Sequence, residues 1–178
     1  MRFFAWNSGR LFYLLCVSLT SFAVSSGNAH AAEVYGPQQV VKRLFVAIER
    51  ADEAAILSSI IPGGSVIEQE IPADRKACPI DECTDAMAAE VFAGGVVLMG
   101  PLKAIYKLGR PRTDNGISTI TAEYIFFEPV GSDQEAHIFK CGEAIFTSVI
   151  TAGRWIISGF TYTNNLDRSQ CRLGKGPR

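Results

Sequence analysis

Histidine is nearly missing from this sequence, with His30 and His137 the only two among 178 residues. Two distant imidazoles do not make a zinc set, and they leave little material for a histidine-based proton relay. A surplus of positive charge is missing too: seventeen Lys and Arg stand against eighteen Asp and Glu, a formal net charge of −1. That removes the electrostatic footprint of a nucleic-acid binder. No Cys-x-x-Cys pair occurs, because Cys78 and Cys83 are separated by four residues, so dithiol redox chemistry lacks its usual spacing. No apolar run is long enough to cross a bilayer. The longest, Leu11 to Val24, is interrupted by Ser18, Thr20 and Ser21 and falls short of the ~20 residues a spanning helix needs.

What that run does resemble is the core of an export signal. Arg2 and Arg10 give it a basic start, and Ala29-His30-Ala31 gives it the small-x-small pattern of a cleavage site. Residues 1–31 are therefore expected to be removed, leaving a mature protein that begins near Ala32 and works in the periplasm or outside the cell. Leu14 and Leu15 precede Cys16 where an acylation site needs a small residue, so Cys16 is expected to leave with the signal rather than carry lipid. After cleavage 147 residues remain, with fifteen basic and eighteen acidic side chains and a formal charge of −3. That is one domain's worth of chain, enough to bury its own core. Residues 32–165 are expected to form the domain, and residues 166–178, with Arg168, Arg172, Lys175 and Arg178, a basic tail.

Four cysteines survive cleavage: Cys78, Cys83, Cys141 and Cys171. An even number in a chain bound for an oxidising compartment points to disulfides. Three pairings exist; the favoured one joins Cys78 to Cys83 around a short loop containing Pro79 and joins Cys141 to Cys171, pinning the tail to the body. With His137 the one histidine left, no metal site is expected, and no cofactor.

Along the mature chain, Pro37 opens a helix whose apolar face runs Val40, Val41, Leu44, Phe45, Ala47, Ile48. Ala51-Asp52 breaks it. Residues 53–60 read as a second, shorter helix stopped by Pro62-Gly63-Gly64, and Ser65 to Ile71 as an edge strand. Pro72 to Pro79 reads as a charged loop. Thr84 is expected to cap a third helix through Phe92, because acidic side chains follow it near the positive end of the dipole. Gly94 to Pro101 then reads as an apolar loop, either a buried connector or a lid over a pocket, and Pro101 as the start of a short helix through Leu102, Ile105 and Leu108. From Ile117 the period changes. Three long strands, Ile117 to Glu128, Gln134 to Ile150 and Arg154 to Thr163, are separated by turns and form an antiparallel meander. Both faces of its first strand are apolar, so one face must meet the helices and the other needs a second cover: a partner copy, curvature or a ligand.

Helices first, then a long meander ending in Gly153-Arg154-Trp155-Ile156-Ile157-Ser158-Gly159-Phe160, is an order that resembles the nuclear transport factor 2-like superfamily, with its SnoaL-like and ketosteroid isomerase-like branches. The helix end Ala47-Ile48-Glu49-Arg50-Ala51-Asp52 fits it as well, and the likeness spans about residues 34–164. It implies an α+β fold in which N-terminal helices rest on a strongly curved antiparallel sheet. Such a fold is cone-shaped and cystatin-like, encloses an apolar cavity, and is often paired through the sheet's outer face. The superfamily hosts isomerases, dehydratases, hydrolases and plain binding modules, so the fold does not choose a function. Its dehydratase-like branch uses histidine and aspartate facing the cavity, and this chain has no aspartate in the three long strands.

The candidate site residues follow from strand parity. His137 and Glu143 are an even number of residues apart, so both project from one face of the second long strand. Buried together they would form an acid/base couple; exposed, they are a solvated charge pair on the outer face, which is the simpler reading. Tyr106, Tyr124 and Tyr162 are the residues placed to offer a hydroxyl to a ligand. Two readings of function remain. One is an exported envelope domain that binds a small apolar molecule or another envelope protein, with self-association through the sheet face and no nucleic-acid partner. The other is a cavity enzyme of isomerase, dehydratase or hydrolase type acting through Glu143, His137 and a tyrosine.

Overall fold

The computed structural model describes residues 36–72, 80–128 and 137–173. The proposed signal, Cys78 and the turn expected at 129–133 lie outside them. Helix α1, Pro37–Glu49, begins where expected, with Pro37 at its first turn. Its Val41, Leu44, Phe45 and Ile48 are buried. Ala51 adopts a left-handed φ of 50°, and the Asp52 side chain then accepts a hydrogen bond from the Ala55 amide at 3.0 Å, capping α2, Glu53–Ser59.

Strand β1, Ile60–Ile71, follows without a break. Its expected place at a sheet edge is corrected: β1 lies between two strands. It pairs antiparallel with β2, Thr84–Ala88, and parallel with β7, Arg154–Asn165. Pro62-Gly63-Gly64 does not end an element but falls where the β1–β7 register slips, between Ile60 and Ser65. The stretch from Thr84, expected as the third helix, is strand β2 preceded by a single helical turn, α3, Ile80–Cys83. The Thr84 hydroxyl makes no hydrogen bond and caps nothing. The edge of β1 supplies a backbone partner for five residues, and that pairing overrides the weak local preference for helix.

The helix expected at Thr84 starts instead at Ala89. Helix α4, Ala89–Met99, runs through Gly94-Gly95, where a loop was expected. Ala89, Ala93 and Val96, at helical spacing, are buried against the body. Leu102, Ile105 and Leu108 suggested a helix by their spacing of three, but the segment is β3, Lys103–Leu108, in which Ala104, Tyr106 and Leu108 are half-buried and Lys103, Ile105 and Lys107 exposed. Period two wins because β3 completes the sheet beside β5, Ile117–Phe127. A short β4, Arg112–Asp114, pairs with the start of β5, and β6, Ile138–Thr151, returns antiparallel to it.

The strand order is β2-β1-β7-β6-β5-β3, with β4 on β5. The sheet is mixed rather than wholly antiparallel and does not close; helices against it give the expected α+β cone fold. The three long strands fall close to their expected bounds. Positive-φ pairs Asn115-Gly116 and Ala152-Gly153 make their turns. One face of the sheet carries Ile120, Tyr124, Phe126, Ala144, Phe146, Ile157 and Phe160 into the core beneath α1. Phe45 anchors it, stacked on Tyr106 with ring centres 4.2 Å apart and set edge-on to Phe146 at 5.9 Å.

Cys141 and Cys171 form a disulfide with Cα atoms 5.7 Å apart, as favoured. It ties the start of the tail to β6. Arg168 donates to Asn164 Oδ1 at 3.3 Å and to the Asn165 carbonyl, so residues 166–171 are held against the body. Cys83 is also disulfide-bonded.

Candidate functional site

The interior between helices and sheet is incompletely filled. A pocket of about 50 Å³ lies there. Leu44, Phe45 and Ile48 of α1, Phe92, Val96 and Met99 of α4, and the inward side chains of β5, β6 and β7 form its walls. Each strand contributes through alternate residues, Tyr124 and Phe126 on β5, Ala144 and Phe146 on β6, Phe160 and Tyr162 on β7. Phe92 packs edge-on to Phe160 at 5.2 Å and to Tyr162 at 6.2 Å, which joins α4 to the sheet.

One end of this apolar space is polar. Glu68 on β1 accepts from the Lys140 ammonium at 2.6 Å through Oε1 and from the Tyr162 hydroxyl at 2.8 Å through Oε2. Both charged side chains are largely enclosed, Lys140 22% and Glu68 16% exposed. The ammonium also stands 5.5 Å from the centre of the Tyr162 ring, within cation–π reach. The Tyr124 hydroxyl donates to the Thr163 carbonyl at 2.6 Å. Burial pushes the Tyr162 phenol well above its ordinary value near 10, and the hydrogen bond to Glu68 pushes it further. Tyr124 moves the same way, first through burial and then through the charge of Glu68. Both phenols hold their protons and act as donors, not bases.

Gly142 makes this corner possible. A Cβ there would overlap the Thr163 carbonyl oxygen, so only glycine lets β7 pass this close to β6 and present that carbonyl to Tyr124.

Of the residues singled out in the sequence, Tyr124 and Tyr162 line the pocket. Tyr106 does not: it lies on β3 with its ring stacked on Phe45, and burial followed by the charge of Glu49 raises its phenol. His137 and Glu143 are both exposed, and six residues of extended chain hold them ~20 Å apart. The structure does not bring them together or to the pocket. Glu68 and Lys140 escaped notice, although a signal existed. Glu68 has the same parity as buried Val66, and Lys140 the same parity as Ala144 and Phe146, so each is a charge on the inward side of a strand. Among the described residues, no three of the His, Cys, Asp and Glu side chains gather as a metal site, and no helix is long and apolar enough to cross a membrane.

No protein-family model and no curated protein matches this sequence. Solved structures do. A nuclear transport factor 2-like protein of unknown function from Shewanella baltica aligns with a TM-score of 0.54 at 8% identity, covering 71% of this chain and 89% of that one. The fold is nuclear transport factor 2-like. A ketosteroid isomerase-like protein from Erwinia carotovora atroseptica matches with a TM-score of 0.53 at 14% identity, over 75% of this chain and 97% of that one. The beta subunit of a proposed aromatic-ring-hydroxylating dioxygenase from Novosphingobium aromaticivorans matches with a TM-score of 0.55 at 11% identity, over 74% and 88%. Identities this low speak for the fold alone, and a pocket between helices and sheet belongs to it.

Proposed function

We propose that this chain is an exported binding domain whose pocket holds a small apolar molecule with one polar group directed toward Glu68, Lys140 and Tyr162. The observation that carries the reading is the state of the polar groups that line the pocket. Tyr124, Lys140 and Tyr162 each already have a protein partner. No wall residue is left as a free base or nucleophile, while the remaining wall is aromatic and aliphatic. Such a site gains affinity from apolar burial, at about 25 cal/mol per Å² removed from water, and uses its polar end for orientation.

The enzymatic alternative draws on His137 and Glu143, and their exposure leaves it without its acid/base couple. Export is supported by the signal-like segment and by the Cys141–Cys171 disulfide, which needs an oxidising compartment. Self-association through the outer sheet face is supported by Ile105, Ile117 and Ile145, which are outward by strand parity and each close to half exposed.

Uptake of the uncharged fluorophore N-phenyl-1-naphthylamine tests the proposal. The wild type is expected to enhance its fluorescence saturably, and Ala144→Leu, which fills the pocket, to weaken binding at least tenfold while the far-ultraviolet spectrum stays unchanged. Equal binding by both proteins, or none by the wild type, refutes it.

A further inference from the structure

The two halves of α4 are held very differently. In the first, Ala89 and Ala93 are buried and Phe92 is wedged against Phe160 and Tyr162. In the second, Val96 alone is fully buried; Val97 and Met99 are substantially exposed and Leu98 is 90% exposed. Between the halves stand Gly94 and Gly95, in mid-helix, and Gly100 ends the helix at φ 79°. A Cβ at Gly94 or Gly95 would meet nothing within 4 Å, so packing does not require glycine at either position. Each weakens the helix there relative to alanine. The apolar segment Val96-Val97-Leu98-Met99 is thus bounded by glycine on both sides, and two of its side chains, Val96 and Met99, wall the pocket.

The resting pocket, about 50 Å³, is far smaller than the 300 Å³ or more of ordinary ligand sites and smaller than a ~150 Å³ cavity that admits benzene. Something in the wall must yield before an aromatic or aliphatic molecule can be accommodated. We propose that residues 96–99 are a hinged flap that swings out at Gly94-Gly95, withdraws Val96 and Met99 from the pocket wall, and gates the uptake of apolar ligands of benzene size and above. The proposal rests on the apolar-ligand reading above. Little holds the flap shut: Val97 and Leu98 are already outside, so opening exposes mainly Val96 and the inner part of Met99. Phe92 and the first half of the helix stay in place on the sheet.

The Gly94→Ala/Gly95→Ala double variant tests the gate. Alanine favours the helical state by about fivefold per site, so opening at the pair should become about 20-fold rarer. In stopped-flow mixing with N-phenyl-1-naphthylamine, association is expected to slow by about 20-fold with dissociation little changed, so that the dissociation constant rises about 20-fold, because the ligand occupies the open state that the variant makes rarer. In hydrogen exchange without ligand, the amides of Leu98 and Met99, which bond across the hinge to the carbonyls of residues 94 and 95 in helical register, should exchange faster than that of Ala93 in the wild type and slow in the variant. Unchanged probe kinetics in a variant whose amides have slowed overturns the gate, as does a wild type whose two half-helices exchange alike. Failure of the binding reading looks different: flap amides that exchange as expected in a wild type that takes up no probe overturn that reading and the gating role with it.

Discussion

Replacing Glu68 by glutamine removes the charge that organises the polar end of the pocket while keeping the shape of its side chain. Tyr162 retains an oxygen acceptor in the amide, but the Lys140 ammonium loses an anion at 2.6 Å and is left largely enclosed. Breaking a fully buried pair costs 3–5 kcal/mol. With the two side chains 22% and 16% exposed, water recovers part of that loss, and a cost of about 2 kcal/mol is expected. For a domain of this size the melting temperature falls by roughly 2–4 °C per kcal/mol, so the variant should melt about 4–8 °C lower. Lys140→Met keeps the apolar stem and removes the cation, at a similar cost. The decisive assay is the double-mutant cycle in urea, because in Glu68→Gln/Lys140→Met neither charge remains to be stranded. The double variant is expected to be about 1.5 kcal/mol more stable than the sum of the single effects implies. Additivity within about 0.5 kcal/mol would refute the reasoning and reduce the pair to a surface contact of little energetic weight.

Gly142→Ala forces β6 and β7 apart at Thr163 and should destabilise the fold by more than about 2 kcal/mol in urea unfolding, whereas Gly153→Ala, in an open turn at φ 76°, should cost less. The phenols of Tyr124 and Tyr162 are raised by burial above their ordinary value near 10, so their contribution to stability is complete below pH 10 and declines above it, as the unfolded chain ionises first. Unfolding free energy should then drop by up to about 1.4 kcal/mol per pH unit for each tyrosine, and Tyr162→Phe should remove one share of that slope. Reducing Cys141–Cys171, which closes 30 residues of chain, should cost about 3.5 kcal/mol by loop entropy, measurable as a lower urea midpoint for Cys141→Ser/Cys171→Ser.

Local signals carried much of this architecture. Pro37 with Val41, Leu44 and Ile48 marks α1 because start signal and apolar period agree, and Asn115-Gly116 and Ala152-Gly153 mark the β4–β5 and β6–β7 turns because their left-handed backbone is a property of the turn itself. Tyr124 and Tyr162 were within reach of the sequence as inward-pointing residues, because each shares its strand parity with a buried aromatic neighbour, Phe126 and Phe160. What stayed hidden depends on partners distant in sequence. Strand β1 is interior only because Ser65 pairs with Gly159, and β2 is a strand only because β1 offers it an edge. Glu68 meets Lys140 and Tyr162 from 72 and 94 residues away. Nothing in the local composition of residues 65–71 announces those contacts, although the inward parity of Glu68 and Lys140 hinted at them. Leu102, Ile105 and Leu108 satisfied a helical spacing, and the free edge of β5 decided in favour of a strand. Gly94-Gly95 looked like a loop, and packing of Ala89, Ala93 and Val96 kept it helical.

A crystal structure of the protein grown with N-phenyl-1-naphthylamine tests the central claim most directly. The account predicts the fluorophore's rings between Phe92, Phe126, Phe146 and Phe160, its amine toward Glu68, and Val96 and Met99 displaced outward. A fluorophore bound only outside the sheet, over an unchanged and empty pocket, would contradict it.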